Sequence, residues 1–423
     1  MRINFGTILK DRKEIEKISL ELISYLDEIE KIENKAKKEK EFIFSEEFLF
    51  FSKYYLENGL KEYYEIFEAF KKLKNFLIIG IGGSNSIVSS IYGFLRQKSN
   101  KEVFFLNDSD NLILKASLEF IKNSYLNNNE VGIILITKSG KTLESLINFE
   151  IIKNKLKELD KDWKSKILVI TDEDSPLINL SKENGYHFIT FSQKTSGRFS
   201  VFSKANLFVL KVIGIDIDKL TQGAYQFLKE SFLKDVELNS VVIISSYLYN
   251  YFLKNNFIYN IFLSNPLLGD FGYWYRQIIA ESLGKNKKGL IPLISFFNKD
   301  LHSMYQLFTN APCSILTNFI FLENLPFDYL IENVDFDIFK SLEGKSIEQV
   351  NKVVYLAVRE SYLKLNLPFY EITLENFNEE EIGRIIQFKM MEVVLLAKLL
   401  KVNPFSQEAV ENYKSEVRKN LKI

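Results

Sequence analysis

The stretch FLIIGIGGSNSIVSS, residues 76–90, decides the fold of this chain. Its first four residues form an uninterrupted apolar run, which is typical of a strand buried on both faces of a parallel sheet. Glycines at positions 80, 82 and 83 follow the strand and lead into a predicted helix. Backbone N–H groups at such a turn, together with the helix dipole, bind anions such as phosphate. The stretch therefore predicts an α/β domain with an anion-binding turn.

Three further apolar runs of the same kind follow along the chain. They lie at residues 103–106, 132–136 and 167–170. Continuous apolar strands separated by amphipathic helices indicate a parallel sheet that helices cover on both faces. We therefore predict a doubly wound α/β domain over residues 45–220. Apolar residues at three- and four-residue spacing predict helices from residue 11 to about 72. We assign residues 1–44 of this stretch to a separate helical N-terminal region that precedes the first domain.

The second half of the chain shows a similar α/β pattern, and we predict a second α/β domain at residues 221–400. Strands are predicted at 241–244, 258–263 and 289–293, with weaker candidates at 315–322 and 353–356. Residues from about Tyr273 favour a helix, and the stretch 383–400 is apolar all round, which predicts a buried helix. Asn403 and Pro404 end that helix, and residues 401–423 form a charged helical arm.

Composition narrows the class of protein. The 423 residues are 46% apolar and 26% charged, which is typical of a globular enzyme. Because 55 basic residues balance 55 acidic ones, neither nucleic acid nor an acidic membrane surface is an expected partner. One cysteine, Cys313, and two histidines exclude a disulfide framework and a Cys/His zinc site. Without a secretory signal or a long apolar span, we expect a cytoplasmic protein.

A second motif, GIILITKSGKTLESL at residues 132–146, again joins a buried strand to the start of a helix. It carries Thr137, Lys138, Ser139 and Thr142. Clustered hydroxyls, backbone donors and a lysine at a helix N-terminus favour a compact phosphate monoester. A nucleoside triphosphate is disfavoured because Leu135 stands where a P-loop needs glycine, and a dinucleotide because Asn85 replaces the third fingerprint glycine. Helix capping accounts for one such hydroxyl but not for the whole cluster.

Four shorter motifs carry further candidates. They are TSGRFS with Arg198, YWYRQIIAESLGK with Gln277 and Glu281, KDLHSMYQLF with His302, and NPFSQEAVENYK with Gln407 and Lys414. Gln277 and Glu281 are four residues apart and so share one helix face, where a carboxylate directed into a cleft is a candidate general base. Gln407 and Lys414 lie two helical turns apart on one face. Taken alone, each motif also fits an ordinary solvent-exposed helix face or turn that has no role in binding or catalysis.

Together and in this order, the six motifs resemble those of the phosphoglucose isomerase family. The matching elements are GIGGS, a strand followed by an SKSGTT-like loop, GGRFS, a QxxxES-G-K helix, DLHSxxQ and NPFxQxxVExxK. The resemblance extends from about residue 75 to residue 414. It implies two sugar-isomerase (SIS-type) α/β domains. It also implies reversible conversion of glucose 6-phosphate to fructose 6-phosphate, by ring opening and cis-enediol proton transfer without a cofactor or metal.

The resemblance further implies a role for each candidate residue. Glu281 is expected to move the proton between C1 and C2, Arg198 to lie near the enediol, and His302, assisted by Lys414, to open the ring. The residues expected to bind the substrate are Gly83, Ser84, Thr137, Lys138, Ser139, Thr142, Gln277 and Gln407. A homodimer is also implied, in which His302 of the partner subunit completes each site.

This chain departs from the family pattern at three positions. Ser196 replaces the first glycine of GGRFS, which is acceptable only if the residue has negative φ. Lys141 replaces a threonine and adds a cation near the expected phosphate, whereas Thr137 replaces serine and keeps the hydroxyl. None of the three removes a catalytic group, so they bear on affinity rather than on activity.

Two other functions stay open from the sequence. One is a non-catalytic regulator that binds sugar phosphates, although such a protein needs the phosphate loop and not Glu281, Arg198, His302 and Lys414. The other is an isomerase of relaxed specificity that also accepts mannose 6-phosphate. Turnover of fructose 6-phosphate separates the first from an enzyme, since a regulator binds the sugar without converting it.

Overall fold

The computed structural model describes residues 1–8, 12–39, 45–191, 196–407 and 409–421. Within these residues the strands form two five-stranded sheets. The strands are β1 (Arg2–Asn4), β2 (Asn75–Ile79), β3 (Glu102–Leu106), β4 (Val131–Ile136), β5 (Ile167–Asp172), β6 (His187–Phe191), β7 (Ile258–Leu263), β8 (Ile291–Phe296), β9 (Ile315–Leu322) and β10 (Phe369–Leu374).

Helices connect the strands and cover the sheets. In the first half they are α1 (Arg12–Glu39), α2 (Phe51–Asn58), α3 (Tyr64–Phe70), α4 (Gly83–Leu95), α5 (Asn111–Leu126), α6 (Leu143–Leu159), α7 (Pro176–Asn184) and α8 (Lys204–Val212). In the second half they are α9 (Ile217–Ser231), α10 (Ser240–Leu253), α11 (Gly269–Leu283), α12 (Phe297–Ser303), α13 (Tyr305–Asn310), α14 (Ile347–Lys364), α15 (Glu379–Leu400) and α16 (Val410–Leu421). Among the described residues, none of these helices has the length and apolar character that crossing a membrane requires.

The first sheet is wholly parallel, with the strand order β3-β2-β4-β5-β6. Alternate residues of β2 enter two different hydrophobic cores: Phe76 and Ile78 pack on one side, and Leu77 and Ile79 on the other. The strand order changes direction between β2 and β4, which creates a crevice at their carboxyl ends. The predicted doubly wound sheet is therefore confirmed, and both phosphate-type turns follow the strands that flank the crevice.

The second sheet has the order β1-β10-β9-β7-β8 and is parallel except for β1, which pairs antiparallel with β10. One of its faces packs against an aromatic-rich core that includes Phe262 and Phe319, whose ring centroids lie 5.6 Å apart. Alternate residues, such as Ile261 and Ile320, face the larger core on the other side. The α/β class predicted for the second half is confirmed, whereas the domain boundaries at 44, 220 and 400 stay predictions.

Two predicted strands are wrong. Residues 241–244 lie inside α10, and residues 353–356 lie inside α14. The apolar run Val241–Ile244 is as short as a strand, but the buried stretch continues through Ser245 and Ser246 to Tyr251, which is the length of a buried helix. For α14, a capping box formed by Ser346 and Gln349 fixes the helix start, and local β-propensity does not override it.

The other predicted strands and the buried helix are confirmed, with α15 extending the predicted 383–400 stretch back to Glu379. Strands β1, β6 and β10 were not predicted, and β1 lies within residues 1–44, which were predicted to be helical. The sequences of the three strands, RIN, HFITF and FYEITL, place polar residues among apolar ones and do not form the continuous apolar runs on which the prediction depends. A buried glutamate, Glu371, occupies β10 because Arg359 and Tyr355 donate hydrogen bonds to it.

Close helix packing joins the two halves of the chain. Gly383 of α15 lies against the backbone of α9, and a Cβ at this position would come within 2.1 Å of the Leu220 carbonyl oxygen. Helix α4 packs against α11, where the Ser90 hydroxyl lies 2.8 Å from the carbonyl oxygen of Asp270. This second contact brings the glycine-rich turn of the first half against the helix that carries Glu281.

Candidate active site

A cleft of about 660 Å³ lies where α4 of the first half meets α11 of the second. Ser86 and Ser89 line it from α4, and Asp270, Gln277 and Glu281 line it from α11. The cleft begins at the glycine-rich turn after β2, next to the crevice between β2 and β4. Two predicted site residues, Gln277 and Glu281, therefore share one wall, as their four-residue spacing on a helix requires.

The Glu281 carboxylate receives one hydrogen bond on each oxygen. Gln277 Nε2 donates to Oε1 at 2.8 Å, and Arg198 Nη1 donates to Oε2 at 3.2 Å. The Glu281 side chain keeps 29% of its surface exposed. Since each carboxylate oxygen has two acceptor positions, acceptor capacity remains for a ligand in the cleft. A carboxylate that is oriented by two donors and still accessible suits a general base.

Arg198 is the most deeply buried charge of this site, at 2% exposure. Each of its five N–H groups has an acceptor. Nε donates to Ser282 Oγ at 2.9 Å, Nη1 to Glu281 and to Gln407 Oε1 at 2.7 Å, and Nη2 to the carbonyl oxygens of Pro404 and Ser406 at 2.6 and 2.8 Å. Burial lowers the pKa of Arg198 and the charge of Glu281 opposes that shift. The guanidinium therefore joins the Glu281 carboxylate on α11 to the segment that precedes α16.

Backbone contacts fix the position of Arg198. Trp274 Nε1 on α11 donates to the Arg198 carbonyl oxygen at 3.1 Å. On the other side, a Cβ at Gly83 would lie 2.5 Å from the Arg198 nitrogen, so only glycine allows α4 to begin this close. Ser196 has φ of −69°, and the condition under which serine can replace the family's glycine is thus confirmed. Thr195 of this motif lies outside the described residues.

The predicted phosphate loop, residues 137–142, connects β4 to α6. Thr137 is buried, and its hydroxyl donates to Thr142 Oγ1 at 3.2 Å. Thr142 is the N-cap residue of α6, yet its side chain makes no capping hydrogen bond. Capping therefore does not explain this threonine, and the first turn of α6 keeps its capacity to bind an anion. The loop lies outside the lining of the cleft, at the carboxyl end of the neighbouring strand.

Lys138 in this loop pairs with a carboxylate that follows β5. Its Nζ lies 3.9 Å from Asp172 Oδ2, and the Asp172 N–H donates to the Lys138 carbonyl oxygen at 2.8 Å. Burial raises the pKa of Asp172 to about 6; Lys138 opposes this shift, while Asp174 and Glu173 add to it. Among the described residues, Asp172 Oδ1 is buried without a hydrogen-bond partner. The charge of Asp172 therefore acts on Lys138, the cation that is expected to bind the phosphate.

The other predicted residues lie in different surroundings. Gln407 belongs to the Arg198 network, and Lys414 is partly buried on α16. His302 is exposed on α12, and within the described part of the chain it makes no hydrogen bond or ion pair. Gly83 begins α4, and the side chain of Ser84 lies outside what the structure describes. The structure thus joins Arg198, Gln277, Glu281 and Gln407 in one network and leaves His302 outside it.

Sequence reasoning missed five contributors to this site. Ser86, Ser282 and Asp172 have polar side chains, and the Pro404 and Ser406 carbonyls are backbone groups. Ser86 lies three residues after Gly83 on the same helix face, and that spacing could have identified it. Backbone carbonyls carry no signal in the sequence because every residue has one.

Comparisons with known proteins show which family this chain resembles. The family model for phosphoglucose isomerase matches residues 65–422. A glucose-6-phosphate isomerase from Mycoplasmopsis pulmonis (strain UAB CTIP) is 31% identical over 379 residues, which are 86% of this chain and 87% of that protein.

Solved structures show the same fold. A hypothetical protein from Thermus thermophilus is similar with a TM-score of 0.85 and 23% identity, over 99% of both chains. A glucose-6-phosphate isomerase from Chlamydia trachomatis has a TM-score of 0.75 and 18% identity, over 86% of this chain and 72% of that one. Because both identities are low, these two similarities concern the fold.

Proposed function

The chain belongs to the phosphoglucose isomerase family, and we propose that it catalyses the reversible isomerisation of glucose 6-phosphate and fructose 6-phosphate. One observation carries the proposal. Glu281 faces a cleft with one donor on each carboxylate oxygen, and one of the donors is the buried guanidinium of Arg198. A base held beside a permanent cation suits proton abstraction next to a carbonyl, because the cation stabilises the oxyanion that develops.

The chemical step assigns two tasks to these residues. Glu281 removes the proton from C2 of the open-chain aldose and returns it to C1 of the cis-enediol. At the oxygens, O1 gains one proton as the C1 carbonyl becomes a hydroxyl and O2 loses one as the C2 carbonyl forms, so the step is balanced by transfer of one proton from O2 to O1. Arg198 stabilises the negative charge that builds on the enediol oxygens. Since all five of its N–H groups are engaged, an oxygen that bonds to it directly must replace an acceptor. The exposed side chain of Gln407 is the acceptor we propose to exchange.

The phosphate end of the sugar is proposed to bind the loop between β4 and α6. Ser139, Thr142, Lys138 and the first turn of α6 offer hydroxyl, ammonium and backbone donors to a phosphate dianion. Gly83 and Ser84 at the start of α4 lie at the carboxyl end of the adjacent strand. Anchoring the unreactive end in this way converts binding energy into orientation of C1 and C2.

Ring opening is proposed to require a second subunit. His302 is exposed on α12 and outside the Arg198 network, so it is available to another chain. Exposed apolar side chains between β9 and α14, including Phe336 and Ile338 at 71% and 81% exposure, support an interface. We therefore propose a cytoplasmic homodimer in which His302 of the partner subunit and Lys414 open the ring. Histidine suits this step because its charge changes near neutral pH.

The function is tested by following fructose 6-phosphate in D₂O by NMR, which reports turnover and exchange of the transferred proton together. We expect the protein to convert the sugar, and Glu281→Gln to lower kcat by about 10³-fold while still binding the sugar phosphate. Glu360→Gln, which removes an exposed helical carboxylate, is the matched control and should behave as wild type. No turnover by the wild-type protein would favour a regulator, and near-normal turnover by Glu281→Gln would remove Glu281 from the base role. Mannose 6-phosphate in the same assay measures specificity.

A further inference from the structure

Ser86 is the fourth residue of α4 and lines the proposed active site opposite Gln277. Its hydroxyl oxygen is 3.2 Å from Gln277 Oε1 and 3.3 Å from the carbonyl oxygen of Gly83. Gln277 in turn donates through Nε2 to Glu281 Oε1 at 2.8 Å. A continuous chain of hydrogen bonds therefore runs from α4, through the amide of Gln277, to the proposed base on α11.

The backbone of Ser86 is held firmly in this place. Its N–H donates to the Gly82 carbonyl oxygen at 3.0 Å, and its own carbonyl oxygen accepts from Ser89 Oγ at 2.9 Å and Ser90 Oγ at 2.5 Å. Ser90 Oγ is also 2.8 Å from the Asp270 carbonyl oxygen in the first turn of α11. The backbone of Ser86 is thus tied to both helices that form the cleft, and this holds its side chain opposite Gln277.

The orientation of the Gln277 amide matters because its two ends act in opposite ways on a carboxylate. Nε2 donates to Glu281, whereas a rotated amide would place its oxygen against the negatively charged oxygens of Glu281. The charge of Glu281 selects the first orientation, and the Ser86 hydroxyl, by donating to Oε1, holds the amide in it. Without the Ser86 hydroxyl, the Gln277 amide turns more freely. Glu281 then loses one of the two donors that fix its carboxylate.

We propose that Ser86 is a positioning residue of the isomerisation: its hydroxyl holds the Gln277 amide so that Gln277 orients the Glu281 carboxylate. This inference rests on the proposed function, since it assigns a partner to the base. It predicts an effect on the chemical step rather than on substrate binding, because an oriented base matters most in the transition state.

The test compares Ser86→Ala with Ser117→Ala in the fructose 6-phosphate assay. Ser117 lies on α5, outside the lining of the cleft, and its hydroxyl donates to the Leu114 carbonyl oxygen of its own helix. For Ser86→Ala we expect kcat to fall about 3- to 10-fold, the range of one hydrogen bond, with KM changed less than about twofold. Ser117→Ala should keep the wild-type kcat, and Ser86→Thr, which keeps a hydroxyl, should lose less activity than Ser86→Ala.

A double-mutant cycle shows whether Ser86 acts through Gln277. In a Gln277→Leu background, Ser86→Ala should have no further effect on kcat, since the amide it positions is gone. Additive losses would overturn the proposal, as would an unchanged kcat or a raised KM with normal kcat in Ser86→Ala alone. If the wild-type protein shows no turnover, the proposed function fails; an active wild type with additive losses refutes only the role of Ser86.

Discussion

Asp172 lies at the end of β5, beside the loop proposed to bind the phosphate, and its carboxyl group titrates close to neutral pH. Burial raises its pKa to about 6 against the attraction of Lys138. The native state therefore holds this proton more tightly than the unfolded chain, whose value is near 3.8. The ionised carboxylate thus destabilises the native state above about pH 6, and this destabilisation fades as the pH falls from 6 towards 4.

Asp172→Asn should consequently stabilise the protein at high pH and not at low pH. The neutral amide avoids the burial of a charge, so we expect a higher Tm than wild type above pH 6 and no difference near pH 4. Thermal unfolding followed by circular dichroism between pH 4 and pH 8 measures the difference. Glu158→Gln removes an exposed charge of the same sign and serves as the control. A variant that is less stable at pH 8, or equally shifted at every pH, would contradict this account.

The loop between β4 and α6 is the element proposed to bind the phosphate. Its hydroxyls do not cap α6, so their removal should change ligand binding more than stability. For Ser139→Ala combined with Thr142→Ala, we expect KM for fructose 6-phosphate to rise about 10-fold or more, with kcat affected less. Steady-state kinetics test this, with Thr309→Ala on α13 as a distant control. An unchanged KM would show that the phosphate binds elsewhere.

Helix α15 carries a buried ion pair that contacts α11. Lys389 Nζ lies 2.9 Å from Glu392 Oε2, and both side chains are almost fully buried. Tyr275 on α11 and Tyr370 on β10 donate their hydroxyl protons to Glu392. Burial lowers the pKa of Lys389 to about 8, and Glu392 opposes this shift. The pair thus connects α15 to the helix that carries Glu281.

Removing one member of the Lys389–Glu392 pair should lower the free energy of unfolding more than removing both members. Lys389→Met leaves Glu392 buried without its cation, and we expect a loss of about 3–5 kcal/mol in the free energy of unfolding. Lys389→Met with Glu392→Leu should recover much of that loss, because two apolar side chains replace two desolvated charges. Urea unfolding measures both, and Lys364→Met, in an exposed pair, should change stability by less than about 1 kcal/mol. A double variant as unstable as the single one would contradict this expectation.

If each active site contains residues of two subunits, two inactive variants should regain activity when they form heterodimers. A site within a single chain does not predict this recovery. Glu281→Gln and His302→Ala should each be nearly inactive alone. After subunit exchange, a heterodimer contains one site with an intact Glu281 and an intact His302. A random mixture should therefore regain about a quarter of the wild-type activity.

The matched control mixes Glu281→Gln with Arg198→Lys. These residues belong to one network within one chain, so no heterodimer of these two variants contains an intact site. Two different affinity tags on the two variants, with both variants recovered together through either tag, establish that heterodimers form. If they form and activity does not return in the first mixture, His302 does not act across subunits.

The sequence predicted the parts of this fold that local patterns control. Buried parallel strands appear as unbroken apolar runs, which is why residues 76–79, 132–136 and 258–263 were identified. The same rule failed at Val241, where a short apolar run belongs to a buried helix, and at β10, where a paired Glu371 interrupts the run. A single sequence does not show which apolar run a distant segment will cover.

By itself, the sequence determined the two glycine- and hydroxyl-bearing turns, the common face of Gln277 and Glu281, and the family, because each depends on residues close together in the chain. Only the tertiary structure decided that Arg198 contacts Glu281, 83 residues away, and Gln407, 209 residues away. It also decided that Ser86 meets Gln277 and that Asp172 lies beside Lys138. The contact of Ser86 with Gln277 arises from the packing of α4 on α11, and that of Asp172 with Lys138 from the pairing of β4 with β5. All of these contacts depend on long-range burial of apolar surface, which local sequence does not encode.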